Sequence, residues 1–111
     1  MKKCTSGSPV NITLKVIGGK WKPEILWHLY SETLRFSELK RRVTGITQKM
    51  LTQELRELEE NKIILRTVHP IVPPKVEYSL TDYGKTLSPV LKSMANWGEK
   101  HKATYSSYPT K

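Results

Sequence analysis

The chain has 111 residues, 37% of them hydrophobic, so it can bury one modest core and is predicted to form a single domain. Lysine and arginine outnumber aspartate and glutamate by 19 to 10, a formal net charge of +9, which favours an anionic partner: nucleic acid first, an anionic membrane surface second. One cysteine and three widely separated histidines argue against a disulfide framework or a clustered metal site, and no apolar run approaches the ~20 residues that span a membrane. We therefore expect a cytoplasmic protein without a cofactor, a bound metal or a membrane partner.

Two short helices are predicted after a flexible tail over residues 1–8. Pro9 suits the first turn of a helix because its missing N–H is not needed there. An apolar stripe at i, i+4 and i+7 follows, consisting of Val10, Leu14 and Ile17. A glycine pair ends this helix, and a second helix is predicted over residues 21–30. Its core candidates are Ile25, Leu26 and Leu29, with Trp21 and Trp27 interpreted as packing residues.

A helix-turn-helix motif is predicted next. Residues 36–43 form its first helix, and Thr44–Ile46 is a tight turn that contains a glycine. The second helix begins after Thr47, whose hydroxyl can accept a hydrogen bond from the first turn. The inward residues of the motif are Phe36, Leu39 and Val43 on the first helix and Leu51, Leu55 and Leu58 on the second.

The exposed face of this second helix carries hydrogen-bond donors and positive charge at its N-terminal end, while its acids come in the second half. A helix that presents its N-terminus to a polyanion would be arranged in this way, although most amphipathic surface helices have no such role. The predicted base-contacting residues are Thr47, Gln48, Lys49, Thr52, Gln53 and Arg56. Between Arg35 and Lys49 the basic residues greatly outnumber the acidic ones, as a phosphate-binding surface requires. The predicted phosphate contacts are Arg35, Lys40, Arg41, Arg42 and, further along the chain, Lys75.

A β-hairpin and a final helix complete the predicted order of elements. Ile63–His69 is rich in β-branched and apolar residues and predicts a strand, while Lys75–Leu80 alternates polar with apolar residues and predicts the returning strand. The three prolines between them make a stiff tip. Thr81 and Asp82 open the last helix, in which Pro89 predicts a kink or a late start. The apolar stripe of this helix consists of Leu87, Val90 or Leu91, Met94, Trp97 and His101.

The predicted domain spans residues 9–103, and residues 104–111 are predicted to be a flexible tail. Apolar stripes lie at opposite ends of this domain, and a domain of this size needs only part of them for its own core. The remainder suits a symmetric dimer, which would place two DNA-contacting helices about one DNA turn (~34 Å) apart. The predicted dimer-interface residues are Val10, Leu14, Ile17, Leu87, Leu91, Met94 and Trp97.

The predicted order of elements is that of a winged-helix domain: helix, helix, helix-turn-helix, hairpin and helix. The chain also resembles a known family, the HxlR-type transcriptional regulators, a branch of the MarR-like winged-helix proteins. The segments that carry the resemblance are collinear and span nearly the whole chain, from Pro9 to about His101. They are IGGKW (17–21), RFSEL (35–39), GITQKMLT (45–52), LRELE (55–59), VPPKVEYSLT (72–81) and WG (97–98). We therefore predict an α+β fold, mostly α with a small β-hairpin, that dimerises through its N- and C-terminal helices.

The resemblance implies a homodimer, with the helix after Thr47 in the major groove and the hairpin at the minor groove or the backbone. Members of the family usually repress a nearby gene, and some respond to electrophiles or oxidants through a cysteine directly before the first helix. Here that position is Ser8, and Cys4 lies four residues upstream beside two lysines, which favour the thiolate. Cys4 is thus a candidate redox-sensing residue, with an unreactive exposed thiol as the favoured interpretation, and a small-molecule or redox effector is left unidentified.

The predicted function is sequence-specific binding of double-stranded DNA by a homodimeric transcriptional repressor that recognises an inverted-repeat operator. No enzyme is predicted, because the sequence contains no paired acid and base, no nucleophile with a base and no phosphate loop. Two alternatives stay open at this point: a nonspecific architectural DNA-binding protein, and a winged-helix adaptor that binds proteins.

Overall fold

The structure is a computed structural model that describes residues 7–105. Its helices and strands follow the predicted order of a winged helix. Within the described range the elements are α1 (Pro9–Ile17), α2 (Lys22–Ser31), β1 (Leu34–Arg35), α3 (Phe36–Arg42), α4 (Gln48–Glu60), β2 (Ile64–His69), β3 (Lys75–Leu80), α5 (Asp82–Lys85) and α6 (Ser88–Tyr105). The predicted fold class, mostly α with a small antiparallel sheet, is confirmed.

The ends of α1 and the turn before α4 are set by local chemistry. The Ser8 hydroxyl accepts a hydrogen bond from the backbone N–H of Asn11 (3.1 Å), and Pro9 occupies the first turn of α1. At the other end of α1, a Cβ added to Gly18 would lie 2.2 Å from the carbonyl oxygen of Leu14, so only glycine fits without rearrangement. Gly45 has a φ of +90°, which glycine adopts readily, and it turns the chain from α3 into α4.

The hydrophobic core lies where α2, α3 and α4 meet the sheet. It is formed by buried residues from every one of these elements, together with single residues of α1 and α6: Ile17, Ile25, Leu26, Leu29, Leu34, Leu39, Val43, Ile46, Leu51, Leu55, Leu58, Ile63, Ile64, Tyr78, Leu80 and Leu91. The three leucines of α4 are almost fully buried, so the opposite face of that helix must face solvent. This packing fixes which side chains α4 presents outward.

The sheet has three strands rather than the two of the predicted hairpin, in the order β1-β3-β2, all antiparallel. Strand β1 pairs Leu34 with Tyr78, and the hairpin register runs from Ile64 opposite Leu80 to His69 opposite Lys75. The third strand joins the start of the helix-turn-helix motif to the hairpin, so α3 and the wing are held in one unit.

The predicted last helix is divided into α5 and α6, and α6 starts just before Pro89, as the late-start alternative anticipated. Helix α6 continues to Tyr105, two residues beyond the predicted domain end at residue 103. The remainder of the predicted C-terminal tail, residues 106–111, lies outside the described residues, as do residues 1–6 with Cys4.

Three predicted placements need correction. Ile17 and Leu91 were assigned to a dimer interface, but both are buried in the core of the single chain. Trp27 was interpreted as a core residue, but 41% of it is exposed, and it stacks on Tyr30 with ring centroids 6.0 Å apart. Trp27 therefore belongs to the surface beside α6.

Candidate nucleic-acid interface

The N-terminal end of α4 is capped in a way that leaves it open to an anion. The Thr47 hydroxyl accepts a hydrogen bond from the backbone N–H of Met50 (3.1 Å), and the first turn contains no acidic residue. The backbone N–H groups of Gln48 and Lys49, which the cap does not bind, and the positive end of the helix dipole therefore have no carboxylate in this turn to repel an anion.

All six predicted base-contacting residues are exposed on α4 or at its cap. Five of them line one shallow concave surface: Gln48, Lys49, Thr52, Gln53 and Arg56. Their side chains differ in what they already bind. The Thr52 hydroxyl donates to the carbonyl oxygen of Gln48 (2.9 Å), and the Gln53 amide donates to a carboxylate oxygen of Glu57 (2.7 Å). The side chains of Gln48, Lys49 and Arg56 make no hydrogen bond or ion pair within residues 7–105, so their donors are available to a ligand.

Two of the four glutamates of α4, Glu54 and Glu57, are bound by a lysine from α2. Lys22 Nζ lies 2.7 Å from Glu54 Oε1 and also binds Glu57, and the Lys22 side chain is mostly buried. Burial lowers the pKa of Lys22, but the hydrogen bonds and the charges of the two glutamates raise it on balance. The hydrogen bonds from Lys22 and Gln53 lower the pKa of Glu57. This cluster ties α4 to the body of the domain and offsets part of the negative charge of Glu54 and Glu57.

We expect this cluster to make stability depend on pH in acid. Because the pKa of Glu57 is lowered by folding from its ordinary value of 4.5, its contribution is complete above that value and is lost as pH falls through the lowered pKa. Glu57→Gln should therefore be less stable than the wild type near pH 7, and the difference in urea midpoint should shrink below about pH 4.5. Glu60→Gln, an exposed glutamate of the same helix without an ion pair in the described range, is the control. A difference that persists unchanged at pH 3 would contradict the assignment.

The basic side chains of α3 and its flanks are exposed, but they differ in whether they already form ion pairs. Lys40 and Arg41 are exposed and make no ion pair in the described part of the chain. Arg42 Nη1 lies 2.7 Å from Glu32 Oε2. The Glu38 carboxylate accepts from the backbone N–H of Arg35 (2.8 Å) and caps α3. Lys40 and Arg41 are thus the α3 side chains with the most charge available to a phosphate.

Lys75 lies next to the tip of the wing, opposite His69 and beside an acid. Lys75 Nζ lies 3.5 Å from Glu77 Oε2, and His69 Nε2 lies 2.9 Å from Glu77 Oε1. The hydrogen bond from His69, followed by the charge of Lys75, lowers the pKa of Glu77. The tip of the wing, beyond His69, Lys75 and Glu77, is apolar and solvent-exposed, and Ile71 and Val72 project from its proline segment.

Sequence reasoning missed Arg66. It lies on β2 opposite Tyr78, two residues after the buried Ile64, and therefore on the face of the sheet that packs toward the helices. There it borders an open groove between α4 and the sheet, lined by Phe36, Gln48, Thr52, Leu55, Arg56, Glu59, Arg66 and Tyr78. The signal was the two-residue period of β2, which puts Arg66 on the same face as the buried Ile64.

A second surface, on the side of α1 and α6, is apolar. Four of the predicted interface residues, Val10, Leu14, Met94 and Trp97, are exposed there, and Leu87 is partly buried against the core. Val90 and Trp27 are also exposed on this side, and sequence reasoning did not assign either of them to an interface. A mainly apolar groove runs between α1 and α6, lined by residues that include Leu14, Val90 and Met94. Further along α6 the rings of Trp97, His101 and Tyr105 stack at 4.8 and 5.2 Å between centroids.

Among residues 7–105, no helix has the length and apolar character to cross a membrane. In the same range, no three histidine, cysteine or acidic side chains are grouped so that they could hold a metal ion.

Comparison with known proteins identifies relatives along most of the chain. Residues 16–106 match the model of the HxlR-like helix-turn-helix family. A Bacillus subtilis protein named as an uncharacterized HTH-type transcriptional regulator, YdeP, is 54% identical over 96 residues, which are 86% of this chain and 75% of the relative. The structure of the redox regulator HypR in its reduced form is 50% identical, with a TM-score of 0.85 over 91% of this chain and all of that one. The reduced form of the transcriptional regulator YodB from B. subtilis is 34% identical, with a TM-score of 0.74 over 86% of this chain and 95% of that one.

Proposed function

Because the chain belongs to the HxlR-like helix-turn-helix family of DNA-binding transcriptional regulators, we propose that it binds an inverted-repeat operator as a homodimer and represses transcription from it. The observation that carries this proposal is the first turn of α4, which contains no acidic residue and where the exposed side chains of Gln48 and Lys49 make no hydrogen bond or ion pair within residues 7–105. We propose the cytoplasm as its location, because its DNA target would be there.

Gln48 and Lys49 are the proposed principal base contacts. They stand in the first turn of α4, and recognition helices contact base edges with their N-terminal residues. A glutamine amide can bind adenine through two hydrogen bonds, and a lysine can donate to guanine. Thr52 and Gln53 are proposed as supporting contacts, since each already makes one hydrogen bond within α4. Thr47 positions the helix through its cap, and its own contact is to the backbone of Met50.

Lys40, Arg41 and Arg35 are proposed to bind the phosphate backbone on either side of α4. Arg42 and Lys75 are proposed as weaker contributors, because their ion pairs with Glu32 and Glu77 already satisfy part of their charge. Such contacts hold the protein in register on the duplex without reading its sequence.

Dimerisation through α1 and α6 is supported by how little of α6 the single chain covers. Among its 18 residues only Leu91 is buried, although Met94 and Trp97 carry large apolar groups. Helices gain most of their stability from packing of one face, so a long, uncovered helix needs a partner surface. A second copy with two-fold symmetry would cover both stripes and set two copies of α4 about one DNA turn (~34 Å) apart.

Regulation of DNA binding by oxidation of Cys4 is the less favoured proposal. Two structural neighbours are described in terms of redox chemistry, HypR as a redox regulator and YodB in a diamide-treated form. In this chain, however, Ser8 stands directly before Pro9, and its hydroxyl caps α1. Replacement of Cys4 is therefore not expected to alter operator binding under oxidising conditions.

The proposal is tested by selecting bound duplexes from a random pool. The wild type should enrich an inverted repeat, and the double variant Gln48→Ala, Lys49→Ala should bind that site at least about 10-fold more weakly and enrich nothing in its place. Lys85→Ala, which removes an exposed lysine from α5, is the control and should select the same site. Binding without an enriched site would favour the architectural alternative, and absence of duplex binding would favour a protein adaptor.

A further inference from the structure

The groove between α4 and the sheet is defined by two arginines on opposite walls. Arg56 lies on α4 two turns after Gln48, and Arg66 lies on β2 opposite Tyr78. Both side chains are exposed, and neither makes an ion pair or hydrogen bond within residues 7–105. Glu59 is the single acid among the residues that line the groove, and it too has no ion pair in that range. Two unpaired guanidinium groups facing one groove form a site for an anion.

The position of this groove indicates which anion it would meet. If α4 lies in the major groove and the wing reaches the adjacent minor groove, the sugar-phosphate backbone that separates the two grooves must pass between α4 and the wing. The groove lined by Arg56 and Arg66 occupies that interval. Guanidinium groups bind phosphate oxygens through paired N–H donors and keep their charge at every physiological pH.

We propose that this groove binds a backbone phosphate of the operator, held between Arg56 and Arg66; the inference rests on the proposed function and deepens it. Arg56 then acts as a phosphate-binding residue rather than the base-contacting residue expected from the sequence. Its place in the third turn of α4, about 12 Å along the axis from Gln48, agrees with this role, since base edges are contacted from the N-terminal end.

A phosphate contact and a base contact predict different effects of substitution on DNA binding. Loss of a phosphate contact weakens binding to every sequence alike and lowers the slope of log affinity against log salt by about 1. Loss of a base contact changes preference at one base pair. Arg66→Ala and Arg56→Ala should each reduce affinity about 10-fold for both the operator and a scrambled duplex, with the selected sequence unchanged. Arg66→Lys keeps the charge and should retain the wild-type salt slope.

Binding is measured by fluorescence anisotropy from 50 to 300 mM salt, with circular dichroism to confirm that each variant is folded. Leu65→Ala, the neighbour of Arg66 on the opposite face of β2, is the control and should match the wild type in affinity and slope. Operator binding by the wild type with an unchanged affinity and slope for Arg66→Ala would overturn the phosphate site alone. A changed base preference for either arginine variant would also overturn it. If the wild type binds no duplex, both this inference and the proposed function fail.

Discussion

Replacing both Leu14 and Met94 by aspartate is expected to give folded monomers that bind the operator at least about 100-fold more weakly than the wild type. The exposed fractions of these side chains, 56% and 48%, mean that carboxylates there stay hydrated in the single chain. In a two-fold dimer the same substitutions would bring four carboxylates into one apolar contact, at a desolvation cost that the contact cannot offset. Leu91 is unsuitable for this test, because it is buried and its replacement by aspartate would unfold the protomer.

Sedimentation equilibrium measures the outcome, and circular dichroism reports whether the variant is folded. The matched control is Leu65→Asp, which charges a leucine that is 52% exposed on the outer face of β2. It should remain dimeric. A variant with both aspartates that sediments as a stable dimer would contradict the assignment of α1 and α6 to the interface.

Gly84→Ala is expected to cause a large loss of stability, about 3 kcal/mol or more. Gly84 is buried in α5, where a Cβ would lie 2.1 Å from the carbonyl oxygen of Ile63. The obstacle is backbone and cannot move aside as a flexible side chain would. The close approach of Gly84 to the Ile63 backbone is fixed by Thr81. The Thr81 hydroxyl accepts a hydrogen bond from the Gly84 N–H (2.8 Å) and donates one to the Lys62 carbonyl (2.7 Å).

This contact joins the end of α4, the start of the wing and the segment that leads to α6. For a domain whose total stability lies in the usual range of about 5–15 kcal/mol, such a loss lowers the thermal midpoint by more than about 10 °C. Lys85→Ala, one residue later and exposed, is the control and should unfold within a few degrees of the wild type. A Gly84→Ala protein as stable as the control would show that α5 is free to move away from Ile63.

The elements with strong periodicity could be predicted from sequence. Helix α4 has leucines at i, i+4 and i+7, a capping threonine and a clear end at Asn61, and its observed bounds differ little from those predicted. The hairpin is marked by β-branched residues on both sides of a proline segment, and β3 has the predicted bounds. These signals are local, so one sequence suffices to detect them.

The features that sequence reasoning missed depend on distant contacts. Residues 33–35 could be predicted only as a short extended piece, and their pairing as a third strand could not, because Leu34 pairs with Tyr78 far along the chain. Ile17, Leu91 and Trp27 carry the same apolar signal whether they face the core or a partner surface, and only the packing of α1, α2 and α6 separates the two cases. Arg66 gains its place in the candidate site from the approach of β2 to α4.

The central claim is that α4 contacts bases in the major groove in each half of a symmetric site. Dimethyl sulfate tests it on the selected operator, because the reagent methylates guanine N7 in the major groove and adenine N3 in the minor groove. We predict that guanine N7 methylation weakens binding at two clusters whose centres lie about one helical turn, ~10 base pairs, apart. Interference from adenine N3 alone, or from no base at all, would contradict the claim.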